Sequence, residues 1–275
     1  MSRTTLQVPT GVRAPGWRSD LGLHAALGRL EAIDEGWRCE LPSVPDNPFG
    51  NVLVLRGAPD TRSPEAVIAL FEDLFRGTRV SHVCIGWDDP TADVLSLAPF
   101  VDQGFEAIDD VALALEGTDL AARTPDVGGL RLRRLDLDLE TDGVLACELA
   151  VDEGRTSPYG RVAVRENLAW CRALLALGPP LGAWYGAELD GTLVATLGIV
   201  SVGGEGRLQS VGTRPALRNR GIGRALIAWA WRDAAARLDL DRLLLVTSRG
   251  GAGERFYRRM GFAAVGRNIG VLRSR

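Results

Sequence analysis

Apolar residues along the chain fall into short runs and helical stripes that alternate throughout its length. The β-branched run Val52–Leu55 predicts a strand, which Gly57 closes. The segment Ser63–Arg76 carries a wide apolar stripe behind a capping serine and a proline at the first helical position, so it predicts a helix. Val80–Trp87 predicts a buried strand, in which His82 is interpreted as a hydrogen-bonded structural residue.

The same patterning continues on both sides of these elements. Asp190 and Gly191 form the strongest short hairpin signal in the chain. The other elements predicted in the first half are a helix at Asp20–Glu35 with Leu21, Leu27 and Leu30 inward, strands at Trp37–Leu41 and Phe105–Leu115, and a helix at Pro90–Val101. Those predicted in the second half are strands at Leu130–Leu135, Trp184–Leu189, Thr192–Ser201 and Arg242–Thr247, helices at Thr141–Val151, Val162–Leu177 and Glu254–Met260, a polar loop at Glu153–Gly160 and a strand pair at Phe262–Leu272. Strands and helices therefore alternate around a mixed sheet, which predicts the α/β (α+β) class.

The stretch Gln209–Gly223 contains a short strand, a break at Pro215, a basic loop and the start of an amphipathic helix. A helix N-terminus has unpaired backbone N–H groups and a partial positive charge, so it can hold an anion. Gly221 and Gly223 remove side chains that would block the anion. The guanidinium groups that can bond phosphate oxygens are those of Arg218, Arg220 and Arg224. The stretch predicts a pyrophosphate-binding loop, although the glycines alone would also suit a tight turn.

The motif Arg218-x-x-Gly221-x-Gly223 resembles the acyl-CoA signature Arg/Gln-x-x-Gly-x-Gly/Ala of the GNAT superfamily of N-acetyltransferases. The preceding residues Val211–Pro215 resemble the fourth strand of that family, and Phe256–Phe262 resembles its later helix-to-strand motif. The three motifs have the order and spacing of the family, and the resemblance covers roughly residues 130–275.

The resemblance implies a site that binds acetyl-CoA as cosubstrate, without a metal. Backbone amides near Val211 and Thr213 would pair with the pantetheine arm and the thioester oxygen. Tyr257 would protonate the departing thiolate, since a phenol stays protonated at neutral pH; an aromatic residue facing the core is the alternative. The implied cofactor-binding residues are Val211, Thr213, Arg218, Asn219, Arg220, Gly221, Ile222, Gly223, Arg224, Thr247 and Phe256.

The general base and the acceptor pocket are left open by the sequence. The strand segment Arg207–Ser210 offers no carboxylate, so deprotonation of the amine could go through water or need no dedicated residue. Candidates to attract a cationic amine are Glu148, Asp152 and Glu153, for which solvated surface positions are the simpler expectation. Trp170, Trp184 and Tyr159 could line an acceptor cavity, with the buried core as the default for both tryptophans.

The two halves of the chain share an internal spacing. Phe100-x-x-x-Gly104-Phe105 repeats the spacing of Tyr257-x-x-x-Gly261-Phe262, each after an apolar strand and a helix. We infer a duplicated fold, although two unrelated α/β domains could share such a spacing. The predicted domains are a degenerate GNAT-like domain at 1–118, a linker at 119–129 and a catalytic domain at 130–275. The first domain has no Arg-x-x-Gly-x-Gly, so it should not bind CoA in the standard way.

The charge balance excludes some partners. The chain has 32 basic and 35 acidic residues, a net charge of −3 and a pI near 5.6. No basic excess exists to release counterions, which argues against nucleic acid as the main partner. The chain contains no lysine, so a nucleotide P-loop is excluded.

The cysteines and the hydropathy of the chain predict a reduced, cytoplasmic protein without a membrane partner. Cys39, Cys84, Cys147 and Cys171 are widely spaced, and a structural zinc site is not expected. The first fifteen residues lack a signal-peptide core, and no run approaches the ~20 apolar residues that span a bilayer.

The leading functional hypothesis is an N-acetyltransferase that moves an acetyl group from acetyl-CoA to a primary amine of a small molecule or peptide. A non-catalytic acyl-CoA binder or sensor is the alternative, and a larger acyl donor such as succinyl-CoA is a third possibility. The identity of the acceptor and the oligomeric state are left open by the sequence.

Overall fold

The computed structural model describes residues 5–117, 120, 127–152, 160–178 and 180–274. The helices within them are α1 (Pro15–Ala25), α2 (Pro64–Leu74), α3 (Ala98–Val101), α4 (Thr141–Asp152), α5 (Gly160–Leu175), α6 (Ile222–Leu238) and α7 (Ala252–Arg259). The strands are β1 (Arg29–Ile33), β2 (Gly36–Glu40), β3 (Val52–Arg56), β4 (His82–Asp88), β5 (Glu106–Glu116), β6 (Leu130–Leu135), β7 (Gly182–Leu189), β8 (Thr192–Val202), β9 (Glu205–Thr213), β10 (Arg242–Ser248) and β11 (Ala263–Ser274).

The chain folds into two compact units, each of which is described by itself. Unit N consists of residues 7–114 and 245–275, and unit C consists of residues 1–6 and 115–244. The predicted catalytic domain, 130–275, was one continuous segment, but its last 31 residues belong to unit N. The predicted linker, 119–129, and the predicted polar loop at Glu153–Gly160 lie largely outside the described residues.

Unit N contains a six-stranded sheet in the order β1-β2-β3-β4-β11-β5. β3 and β4 are parallel, and β11 is antiparallel to both β4 and β5. Alternate residues of β3 join different core clusters: Leu53 packs with Phe71 and Trp87 on one face, and Val54 packs with Trp17 on the other. This period-two alternation explains why the apolar run of β3 is buried on both faces.

Unit C contains a sheet in the order β6-β7-β8-β9, followed by residues 242–244 at the start of β10. The sheet is antiparallel except for the parallel pair β9–β10. α6 covers one face, where a Cβ at Gly206 would lie 2.8 Å from the Trp231 ring. α4 covers the other face, where a Cβ at Gly212 would lie 2.7 Å from the Val151 side chain. The missing side chains of these glycines let the helices approach the sheet closely.

Several predicted elements are confirmed at the residue level. β6 has the predicted bounds Leu130–Leu135. Asp190 and Gly191 both have positive φ, 51° and 74°, as a two-residue type I′ hairpin requires. His82 is buried, and its Nε2 lies 3.2 Å from the Asn51 carbonyl oxygen. The prediction of a hydrogen-bonded structural histidine is therefore confirmed.

The predicted helix Asp20–Glu35 is wrong in its second half. α1 ends at Ala25, and β1 starts at Arg29. Gly28 explains the change, because a Cβ there would lie 2.5 Å from the Glu40 carbonyl oxygen of the neighbouring strand. The apolar spacing of Leu27 and Leu30 imitated a helical stripe, but strand pairing with β2 decides the conformation.

Two other predicted elements differ in form. The predicted strand pair at Phe262–Leu272 is the single strand β11, because Gly270 allows close strand contact and does not make a turn: a Cβ there would lie 2.7 Å from the Ile85 carbonyl oxygen. The predicted helix Pro90–Val101 is shorter, with a 3-10 turn at Val94–Leu97 before α3. Asp93 starts that turn by accepting from the Leu95 N–H.

None of the helices among the described residues is both long enough and apolar enough to cross a lipid bilayer. Within the same residues, no group of three or more His, Cys, Asp and Glu side chains could hold a metal ion.

Candidate functional site

β9 changes its pairing at the point where the site was predicted. The parallel ladder with β10 covers Gly206 and Arg207 only. From Leu208 to Thr213, β8 is the only strand of unit C that pairs with β9 in the described chain. The backbone amides along this side of β9 are therefore available to a ligand that lies beside the strand.

A β-bulge deforms β9 just before the predicted thioester-binding residues. The register with β8 shifts between Gln209 and Gly212, and Ser210 has a φ of +46°. Asn167 of α5 donates a hydrogen bond to Ser210 Oγ at 3.3 Å, which ties α5 to the bulge. Bulges and positive φ at a non-glycine residue cost conformational energy and are enriched next to active sites, because they redirect the strand there.

The loop after β9 positions the N-terminus of α6. Asn219 and Gly221 have φ of +62° and +83°, and Gly221 is the N-cap residue. No side chain of the described residues caps the helix. The Ala225 N–H donates to the Gly221 carbonyl, so the amides of Ile222 and Gly223 come before the first intrahelical donor. Ile222 is buried and anchors the start of the helix. Helix N-termini of this kind are places where proteins bind anions.

The arginines of the loop have different roles. Arg218 donates from Nε to the Thr213 carbonyl at 3.1 Å and from Nη2 to the Val151 carbonyl at 3.2 Å. These bonds join the end of β9 to the last turn of α4, so the guanidinium of Arg218 orients the loop. Arg220 is exposed at the tip of the loop. It is the better placed of the two to meet a phosphate.

The corresponding helix start in unit N is built differently. α2 begins after the Val52–Arg56 strand, as α6 begins after β9. Ser63 Oγ accepts the Ala66 N–H at 3.4 Å, and Pro64 at the first helical position has no N–H to offer. This helix start is therefore capped by its own serine, and the absence of CoA binding by the first copy stays a prediction.

Unit N contains the other predicted site residues, Thr247, Phe256 and Tyr257. Tyr257 is buried in α7, with its ring centroid 5.2 Å from that of Phe256 and 5.5 Å from that of Phe262. A Cβ at Gly253 would lie 2.6 Å from Thr247 Oγ1, so this glycine lets α7 pack against β10. Val211, Thr213 and residues 218–224 lie in unit C.

Glu148 on α4 is the functional candidate whose burial the sequence did not indicate. A solvated surface position was the simpler expectation, but Oε1 of Glu148 is buried without a hydrogen-bond partner among the described residues. Burial raises the pKa of Glu148 to about 7, and the Trp184 indole N–H opposes this shift in part.

Only some of the other acceptor-site candidates lie within the described residues. Trp170 and Trp184 are buried, as predicted by default. Tyr159, Glu153 and the side chain of Asp152 lie outside the described residues. The position of Glu148 could have been suspected from its spacing, because Val144, Cys147 and Val151 make one apolar face of α4 and Glu148 lies on the edge of that face.

Comparison with a family model covers part of the chain. Residues 146–262 match the model of the Acetyltransferase (GNAT) family. No curated protein sequence matches the chain at a significant level. The chain thus contains a GNAT domain in its C-terminal half, as its motifs predicted.

Solved structures match far more of the chain. A functionally unknown conserved protein from Staphylococcus epidermidis ATCC 12228 has 14% identity and a TM-score of 0.75, over 90% of this chain and 94% of that one. A GCN5-related N-acetyltransferase from Kribbella flavida has 18% identity and a TM-score of 0.62, over 96% of each chain. A tandem GNAT protein from the clavulanic acid biosynthesis pathway has 14% identity and a TM-score of 0.54, over 76% of this chain and 69% of that one. At these identities the likeness shows the fold, and the predicted α/β fold with two GNAT-like domains is confirmed.

Proposed function

We propose that this chain, which contains a GNAT domain at residues 146–262, transfers an acetyl group from acetyl-CoA to a primary amine of a small molecule or peptide. The family and the fold support acyl transfer in general. The finer proposal is supported by one observation: the glycine-started N-terminus of α6 follows the stretch Leu208–Thr213 of β9, one side of which pairs with no other strand of unit C among the described residues.

The two features suit the two ends of an acyl-CoA molecule. The first-turn amides of α6 and the Arg220 side chain would bind the diphosphate, because both offer positive charge and N–H donors. The edge of β9 offers main-chain groups to the pantetheine arm, which carries two amides. A ligand bound in this way would have its thioester near Val211 and Thr213.

The acyl donor would supply a thioester carbonyl that an amine can attack. Backbone N–H groups near Val211 and Thr213 would stabilise the negative charge that develops on the carbonyl oxygen. Alignment of the two substrates alone contributes about 7–11 kcal/mol to lowering the barrier in well-oriented reactions. Tyr257 remains our proposed proton donor to the thiolate.

Calorimetry with coenzyme A on the full chain tests the binding part of this proposal. We expect Arg220→Glu to weaken coenzyme A binding by about tenfold or more, because it replaces a charge-assisted hydrogen bond with a repulsion. Arg232→Glu is the matched control, since Arg232 is exposed on the same helix ten residues beyond its start. It should leave the dissociation constant within about twofold.

The two variants and a turnover assay separate the possible outcomes. Equal binding by wild type and Arg220→Glu would show that the diphosphate lies elsewhere. Release of free thiol from acetyl-CoA in the presence of an amine would demonstrate transfer. Tight binding without any amine-dependent thiol release would instead favour a non-catalytic acyl-CoA binder.

A further inference from the structure

The face of the unit C sheet under α4 contains a row of three opposed residues. Trp184, Gly198 and Gln209 lie directly opposite one another on β7, β8 and β9. Directly opposed residues of an antiparallel pair project from the same face, so all three share one surface. A Cβ at Gly198 would lie 2.1 Å from the Trp184 ring, so the indole lies over this glycine.

Thr196 and Glu148 belong to the same surface. Thr196 precedes Gly198 by two residues and therefore points the same way. Its strand partner, Gly212, lies beneath Val151 of α4. Glu148 lies three residues before Val151 and so faces the same sheet surface from the helix above it.

The electrostatics of three groups identify neighbours of the Glu148 carboxylate. Burial raises the pKa of Glu148, and the Trp184 indole on β7 opposes this rise in part. Burial also raises the pKa of the Cys171 thiol on α5, and the charge of Glu148 adds to that rise. Burial raises the pKa of the Cys147 thiol on α4 as well, and Arg214 opposes that rise. Oε1 of Glu148 has no hydrogen-bond partner among the described residues.

We name Glu148, Trp184, Thr196 and Gln209 the Glu148 cluster. Each has a buried nitrogen or oxygen atom without a hydrogen-bond partner among the described residues: Oε1, Nε1, Oγ1 and Nε2. Trp184 and Thr196 are 1% and 0% exposed, so water at the surface cannot satisfy them. A buried polar group left unpaired destabilises a fold, and four such groups on facing surfaces of one helix and one sheet are unusual in a folded protein.

The cluster has mixed polarity. Glu148 offers an acceptor that becomes negative, whereas the indole of Trp184 and the amide of Gln209 offer N–H donors. The threonine hydroxyl can donate or accept. A ligand that satisfies all of them must carry a cationic N–H group and, next to it, an oxygen that accepts hydrogen bonds.

We propose that the Glu148 cluster binds the acceptor as an ammonium compound with a neighbouring oxygen, such as an amino alcohol, an amino sugar or the end of a peptide, and that Glu148 accepts the ammonium proton. The proposal rests on the proposed function and defines its substrate class. It also supplies the general base that the segment Arg207–Ser210 of β9 does not offer.

The proton balance of the transfer follows. The Glu148 carboxylate takes one proton from the ammonium, which leaves a neutral amine with a free electron pair. That pair attacks the thioester carbonyl, the C–N bond forms and the C–S bond breaks. The departing thiolate takes the phenol proton of Tyr257, the proposed donor, and the proton that the nitrogen still has in excess restores the phenol. Glu148 releases its own proton to solvent. Overall, an ammonium and an acyl thioester give an amide, a thiol and one proton.

Calorimetric titration of the full chain tests this proposal with ethanolamine, glucosamine, spermidine and an alanyl dipeptide as probes, each with and without coenzyme A. We expect ethanolamine, glucosamine or the dipeptide to bind more tightly than spermidine, which has no oxygen. Glu148→Gln should weaken the binding of that probe at least tenfold and leave the dissociation constant for coenzyme A within about twofold. Glu148→Asp keeps the charge and should recover part of the affinity.

Asp142→Asn is the matched control, because Asp142 is an exposed carboxylate on the same helix. It should bind the probes as wild type does. Equal probe affinities in Glu148→Gln and wild type would overturn the proposal, as would a complete absence of probe binding. Failure of coenzyme A to bind would overturn the proposed transfer instead, since the titrations without coenzyme A still decide whether the cluster holds an amine.

Discussion

At the scale of single residues, Glu148 should lower the stability of the protein at neutral pH. Its pKa is raised from an ordinary value of 4.5 to about 7 by burial. Between these two values the folded state holds a proton that the unfolded state has released, so the free energy of unfolding falls as pH rises through this window. The shift corresponds to about 3 kcal/mol as an upper value.

Glu148→Gln should remove this pH dependence, because the amide cannot ionise. We expect the variant to match wild type near pH 4.5 and to be more stable by up to about 3 kcal/mol at pH 8. Urea denaturation at several pH values measures the difference. A wild-type protein with no decline in stability between pH 5 and pH 8 relative to the variant would contradict the raised pKa. The variant would combine greater stability with weaker acceptor binding, as expected where a functional site is kept at a cost to the fold.

Tyr257 provides a second prediction at this scale. Tyr257→Phe removes the phenol proton but keeps the ring that packs against Phe256 and Phe262. We expect turnover of acetyl-CoA to fall by about 10²-fold, as is typical for loss of a general acid, with coenzyme A affinity nearly unchanged. Steady-state kinetics and calorimetry together measure this split. Phe262→Leu is a control for packing alone, because Phe262 also packs against the Tyr257 ring. An unchanged rate in Tyr257→Phe would show that another group protonates the thiolate.

Much of the candidate site could be predicted from residue patterns. The glycine spacing and the arginines located the helix start correctly, because left-handed φ at Gly221 and unpaired N-terminal amides are local properties of the sequence. The hydrogen bonds of Arg218 to Thr213 and Val151 could not be predicted from the sequence, because they depend on how α4 packs near β9. The burial of Glu148 depends on the same packing.

At the scale of elements, the predictions were confirmed where a turn or a helix cap is specified by the residues that form it. The Asp190-Gly191 hairpin and the Ser63 cap of α2 formed as predicted. Elements whose form depends on a distant strand were misjudged. β1 replaced the second half of a predicted helix, and β11 replaced a predicted strand pair, because pairing with β2, β4 and β5 determines these segments.

Glycines explain both errors physically. A glycine in an apolar pattern indicates a turn, a helix end or a close backbone approach, and the sequence alone does not distinguish these. Gly28 and Gly270 lie against carbonyl oxygens of neighbouring strands, at positions where any side chain would collide. The structural role of these two glycines can be assigned only when the neighbouring strand is known.

At the scale of the whole molecule, the unusual feature is that unit N uses two distant segments of the chain. β11 lies between β4 and β5, with ladders to both. Its residues Ile269 and Val271 are fully buried in the same core cluster as Phe71 and Trp87. Unit N therefore cannot complete its sheet from residues 7–114 alone.

Truncation tests this dependence. A chain that ends at residue 244 should contain an unfolded unit N, because β4 and β5 lose their common partner and the core loses several apolar side chains. Hydrogen exchange of the truncated chain should show loss of protection in β3, β4 and β5. A matched deletion of residues 5 and 6 alone should leave that protection unchanged. Native protection in the truncated chain would show that β11 is dispensable.

The divided construction of unit N has a consequence for its biosynthesis. A ribosome that has finished residue 114 must translate 130 more residues before it reaches residue 245. At about 5–20 residues per second this delay is on the order of 10 s. During that interval the nascent β4 and β5 edges are exposed to other chains, so chaperone capture during translation should matter more for residues 7–114 than for the later-made residues 115–244.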